Sequence, residues 1–263
     1  MLSRFTDVMR DIARGGLAGA IAGVVIGGLG GRLVMMLAAR LNPEATGRFT
    51  ENGELIGAFT VQGSLALLFF GGLGAGMAAG LVWVVISPWL PRSNRRRWLL
   101  AGPLAVALAG SLLIRSENRD FTVLGNDLPI ILMFLALAGF IGIGTSLLDT
   151  ALDRRLPRSG SGRPGLLGAY VVLTGPGLLF LPTVTGFYLS KATCGCSNPP
   201  MFVGWALVST GVVTLTWWVL RVRAARDEPP RAFVVAGRLG VAAAALLGVA
   251  HVVPEIARIL GAA

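Results

Sequence analysis

Residues 15–39 read GGLAGAIAGVVIGGLGGRLVMMLAA, and this stretch decides the architecture. Its only charge is Arg32. A helix of about 20 apolar residues crosses the hydrocarbon core of a bilayer, so the stretch is long enough to span. Gly15, Gly19, Gly23, Gly27 and Gly31 recur at every fourth position. Four residues turn a helix by about 400°, so these glycines form one slowly drifting groove, widened by Gly16, Ala20 and Gly28. A groove of this kind admits a second backbone at close range, which is how helices associate in lipid. Internal packing of the first two spans, homo-oligomerisation and a glycine-lined pore are the three uses it allows.

The pattern recurs along the chain. Apolar segments at roughly 16–39, 61–87, 98–114, 128–148, 166–189, 201–220 and 233–250 predict seven transmembrane helices. The third is short and the seventh contains Arg238, so six is the alternative count. The expected fold is an all-α polytopic transmembrane bundle with close, glycine-rich helix packing. Gly72, Gly76 and Gly80 repeat the small-residue device in the second span. Composition agrees with this reading: of 263 residues, 54% are hydrophobic and 14% charged. Soluble domains carry about 25% charged residues, so an ordinary soluble domain is excluded.

The formal charge of +10 resolves by position. Lys and Arg are retained on the cytoplasmic side of short loops. With the N-terminus inside, 16 basic residues fall in inner segments and six in outer ones. The inner clusters are Arg4 to Arg14, Arg92 to Arg97, Arg154 to Arg163 and Arg221 to Arg238. The split predicts a cytoplasmic N-terminus, an external C-terminus and an odd number of spans. Basic residues beside span ends face anionic headgroups, so the lipid bilayer is the expected partner and nucleic acid is not. A second copy of the chain or other membrane subunits are the further partners considered.

Residues 1–14 form an amphipathic segment expected on the cytoplasmic surface, with Leu2, Phe5, Val8, Met9 and Ile12 helically spaced among charges. Residues 15–148 are a four-span half and 166–263 a three-span half. Between them, 149–165 (DTALDRRLPRSGSGRPG) reads as a flexible cytoplasmic loop. Arg48-Phe49-Thr50 and Arg119-Asp120-Phe121-Thr122 hint at a duplicated hairpin within the first half. The outer loops around them carry Glu44, Glu51, Glu54, Glu117, Asp120 and Asp127, either a salt-bridged lid or a mouth for a cation.

Polar groups at membrane depth are costly and mark candidate sites. Arg32 lies about eight residues from the outer end of its span, where it snorkels, pairs with Glu54, Asp120 or Asp127, or contacts a ligand. In the fifth span, Thr174-Gly175-Pro176-Gly177, Pro182-Thr183, Thr185 and Tyr188 predict a kinked or broken helix. Carbonyls freed by a break are able to coordinate an ion or substrate. The sixth span adds Ser209, Thr210, Thr214 and Thr216, hydroxyls suited to bonding their own helix. His251, Glu255 and Arg258 share one helical face, interrupted by Pro254. Cys194 and Cys196 lie in an outer loop, where a strained bridge, an intermolecular disulfide or soft-metal capture beside Met201 are alternatives.

The sequence contains no H-E-x-x-H, P-loop or G-x-S-x-G pattern, and its single lysine, Lys191, is in an outer loop rather than a span. The expectation is therefore a non-enzymatic protein of a bacterial cytoplasmic membrane, without a cofactor, serving as a structural or assembly subunit. A small-solute permease or channel is the alternative. An envelope thiol-redox or metal-handling protein is the second.

Overall fold

The computed structural model describes residues 1–50, 55–58, 60–125, 128–161, 165–224 and 226–261. Among these the chain is helical, with one isolated bridge between Phe49 and Leu55. Seven long helices form the bundle. They are α1 (Leu2–Leu41), α2 (Val61–Trp89), α3 (Asn94–Leu113), α4 (Leu128–Arg155), α5 (Leu166–Leu189), α6 (Met201–Arg223) and α7 (Arg231–Ile259). All but α3 are long and apolar enough to cross a membrane. The reason lies in the first turn of α3, which reads Asn94-Arg95-Arg96-Arg97. Only residues 98–113 remain as apolar helix, about 24 Å at 1.5 Å per residue.

Two of the helices change winding along their length. In α1, α-helix over Leu2–Ala22 gives way to π-helix over Gly23–Gly30, then returns to α-helix over Gly31–Leu41. In α2, a π-helical stretch occupies Leu67–Gly74. The two wide-wound stretches pack against each other. Residues 1–14 belong to α1 itself, with Val8, Arg10 and Ala13 buried against protein.

The pairing of helices follows from their small residues. Helix α1 runs antiparallel to α2, with Gly15 beside Val84 and Gly28 beside Leu68. Helix α3 is antiparallel to α4, where Gly142 sits on Ala101 and Ala105 and Gly139 faces Val106. Helix α7 runs alongside α3, placing Gly248 on Ala107 and Val252 beside Gly110. Helix α5 packs on α1, α2 and α6. The two sequence halves are thus interleaved, because α7 from the second rests on α3 from the first. Asp149–Arg155 also belong to α4, so the connection between the halves is shorter than 149–165.

One core gathers Trp83, Trp89, Leu108, Tyr188, Trp217 and Val241 from five helices. Trp89 Nε1 donates to Thr214 Oγ1 at 2.8 Å within it, which satisfies a buried indole. A second core closes the opposite end through Ile56, Ile114, Phe121, Leu124, Ile130 and Val252. Phe121 is helical whereas Phe49 is in the isolated bridge, so the two Phe-Thr motifs differ in local structure. The outer surface of the bundle is apolar. Phe70, Leu179 and Phe202 are each more than three-quarters exposed, which suits lipid and not water.

Candidate functional site

Segments at one end of the bundle converge on charge. Asp149 in α4 is buried, at 1% relative exposure, and receives Arg14 Nε of α1 at 2.7 Å. Its other oxygen, Oδ2, lies 3.2 Å from Arg97 Nη2 of α3. Arg97 also stacks over Trp83, 5.1 Å from the ring centroid. Arg14 and Arg10 share Asp153, the latter at 2.9 Å. Arg10 Nε further donates to the Leu156 carbonyl at 3.1 Å, and Arg221 of α6 meets Asp11 at 2.9 Å. Four helices are tied together by these pairs. The partners of Asp149 thus come from α1 and α3. Sequence reading placed these arginines on headgroups because it counted charge by loop, and an Asp at i with an Arg about 135 positions away leaves no local pattern.

A cleft of about 210 Å³ opens beside this network. Arg14, Arg92, Arg97 and Arg221 line it, with Asp11 the one acid in the lining. Its apolar wall includes Leu90, Pro91, Trp217 and Trp218. The Nε of Arg97 is buried and has no hydrogen-bond partner among the described residues. A second cleft lies between Trp98 and Arg154, on the other side of the start of α3.

Neither cleft is lined by Arg32 or by any residue of 174–188. Arg32 Nη2 donates to the carbonyl of Thr60, which caps α2, at 3.3 Å. Of the acids proposed for it, Glu54 and Asp127 lie outside the described residues, as does Glu51. Helix α5 is continuous through Pro176 and Pro182, so the predicted break is absent. Thr174 Oγ1 donates to the Val171 carbonyl at 2.9 Å, and Thr185 Oγ1 to those of Leu181 and Pro182. Each proline removes one backbone donor, and the helix continues through both positions. Thr183 is partly buried on this helix. Tyr188 is buried and donates to the Leu108 carbonyl of α3 at 3.1 Å. Thr210, Thr214 and Thr216 bond carbonyls of their own helix as expected.

The end opposite the arginines holds the remaining candidates. Helix α7 continues through Pro254, so His251, Glu255 and Arg258 do share a continuous helix. Glu255 Oε2 accepts from both the backbone N–H and the hydroxyl of Ser116, each at 2.7 Å, while Oε1 pairs with Arg258. The carboxylate therefore anchors α7 to the segment after α3. Cys194 and Cys196 are joined as a disulfide around Gly195, whose φ of +62° is left-handed. Arg115 Nη1 donates to the Cys194 carbonyl at 2.8 Å. Glu117 accepts from Ser197 in the same cluster. Among the described residues no group of three or more His, Cys, Asp or Glu is arranged to hold a metal.

The glycines of the first span meet those of the second. A β-carbon built on Gly23 would fall 2.2 Å from Gly76 Cα, and one on Gly19 would fall 2.3 Å from Gly80 Cα. The same atom on Gly27 would lie 3.0 Å from the Gly71 carbonyl oxygen. Gly31 faces Leu67, and Gly72 sits against Gly28 and Val24. Gly16, one residue off the row, has no such neighbour within 4 Å. A signal overlooked in the sequence is the tetrapeptide Gly-Gly-Leu-Gly, present at 27–30 and again at 71–74. Each copy ends a π-helical stretch, and such windings often coincide with functional positions.

The chain matches no protein-family profile, no curated protein and no solved structure.

Proposed function

We propose that this chain is a non-enzymatic, multi-pass protein of a bacterial cytoplasmic membrane, acting as a structural or assembly subunit. The observation that carries the reading is the use of its in-span polar groups. Thr174, Thr185, Thr210 and Thr214 bond helix carbonyls, Tyr188 bonds across to α3, and Arg32 bonds the Thr60 carbonyl. A permease needs polar groups turned toward a water-filled path. The close approach of Gly19 and Gly23 to Gly76 and Gly80 supports a glycine-mediated pairing of α1 with α2 inside one molecule.

Purified protein in proteoliposomes is expected to pass small cations, anions and polar solutes no faster than empty vesicles. Arg32→Ala is expected to leave that background unchanged. A solute flux that requires Arg32 would replace this reading with the permease.

Seven crossings, with the arginine-rich end in the cytoplasm, are part of the proposal. Helix α3 supports the odd count: it lies antiparallel to α4 and alongside α7, both long enough to span. The segments around Arg14, Arg97, Asp149 and Arg221 meet at one end. Those around Arg115, Cys194 and Glu255 meet at the other. The single lysine makes the test direct. A membrane-impermeant amine reagent on intact cells should modify the exposed Lys191, while an epitope ahead of Met1 stays protected until the cells are opened. Labelling of both from the same side would mean that α3 does not cross.

A further inference from the structure

We propose that the arginine-lined cleft is a binding site for a phosphate-bearing anion, and that its occupant is the headgroup of an anionic phospholipid from the adjoining leaflet. The inference rests on the membrane orientation argued above and adds a ligand to it.

The charge of the lining comes first. Arg14, Arg92, Arg97 and Arg221 face Asp11 alone, an excess of three positive charges around about 210 Å³. Carboxylates behind the wall and at the mouth reduce this surplus without removing it: with Arg10 counted, five arginines meet Asp11, Asp149, Asp153 and Glu228, an excess of one. Asp149 is shared between Arg14 and Arg97, and Asp153 between Arg10 and Arg14. Asp11 is itself divided among Arg10, Arg14 and Arg221. Glu228, at the mouth, meets Arg92, and both side chains are largely exposed. One arginine is thus in excess over the carboxylates, and Arg97 Nε, like Asp149 Oδ2 beside it, is buried with no hydrogen-bond partner among the described residues. A phosphate offers several oxygens to guanidinium groups, often two at a time, and is the chemistry that such a set recognises.

The lining's other half selects the source. Trp217, Trp218, Leu90 and Pro91 stand beside the arginines. A free phosphate gains nothing from an apolar wall, whereas the glycerol and upper acyl carbons of a lipid do. The position agrees, since Trp and Arg at the ends of spans mark the interfacial level where headgroups sit. The volume equals that of roughly seven waters of liquid, room for a phosphate with part of its glycerol.

The test titrates the purified full chain, in neutral detergent, with short-chain phosphatidylglycerol, short-chain phosphatidylcholine or inorganic phosphate, following thermal unfolding. Phosphatidylglycerol is expected to raise the unfolding temperature saturably, and the other two to leave it unmoved. Arg92→Gln, at an exposed mouth position, should fold normally and weaken the apparent affinity about tenfold. Arg221→Gln should do the same from inside the cleft. Arg95→Gln changes a neighbouring exposed arginine outside the lining and should have no effect. Equal stabilisation by both lipids overturns the proposal. So does an equal loss in Arg95→Gln, which would mark diffuse surface attraction. Protection by inorganic phosphate at matching concentration would assign the cleft to soluble phosphates and overturn the lipid. None of these outcomes bears on the side from which Lys191 is labelled, so failure here leaves the membrane reading separately testable.

Discussion

Gly23→Leu is expected to prevent α1 from docking on α2 and to destabilise the protein by about 3 kcal/mol or more. The first atom of the new side chain would lie 2.2 Å from Gly76 Cα and 2.3 Å from the Gly72 carbonyl oxygen. Both obstacles are backbone, so no rotamer change relieves them and the helices have to separate. Separation removes the adjoining contacts of Gly19 with Gly80 and of Gly15 with Val84 as well. Gly16→Leu supplies the control. It adds the same side chain to the same helix, one position off the row, with open space at its β-carbon. Its cost should stay within about 0.5 kcal/mol. Thermal unfolding of the two variants in detergent compares them directly. Equal stability would mean that the α1–α2 contact is not the one described.

Asp149→Asn should be the most damaging charge substitution in the chain. The side chain keeps its volume, so the change isolates charge. It leaves Arg14 and Arg97 facing a neutral amide at a position where the wild-type carboxylate is buried. Breaking one side of a buried ion pair costs about 3–5 kcal/mol, because the partner charge stays desolvated. Asp153 continues to serve Arg14, which places the expected loss near the lower end of that range. Asp227→Asn removes an acid that is 85% exposed and 3.7 Å from Arg4, and should cost under about 1 kcal/mol. Adding Arg97→Gln to Asp149→Asn should restore part of the loss, since the stranded guanidinium is then gone. A double variant no more stable than Asp149→Asn alone would show that Arg97 is not held by this carboxylate.

The glycine row and the charged network differ in how legible they are in the sequence. The spacing of Gly15, Gly19, Gly23, Gly27 and Gly31 is visible as a helical row because a helix repeats every 3.6 residues. What the row packs against is not visible, and packing within one molecule and between copies make the same demand on sequence. The charged network was less legible still. Arg14 and Asp149 stand 135 positions apart, and each alone resembles an ordinary span-end residue. The break expected in α5 is absent, and the winding continues through Pro176 and Pro182.

The apolar segments, and the division of the basic residues among the loops, are legible from the residues alone. Those properties are local or additive, since hydropathy and helical period are summed along a segment. The helix ends are less legible: α1 begins at Leu2 and not near 16, and α7 runs on to Ile259, past 250. Packing of the folded chain set which helix neighbours which. It set the glycines of α1 on those of α2, and it gave Asp149 to Arg14 and Arg97 rather than to the headgroups. It also gathered four arginines from separate helices and loops around one cleft. Each of these is a relation between residues brought together by packing, and a linear pattern carries no term for it.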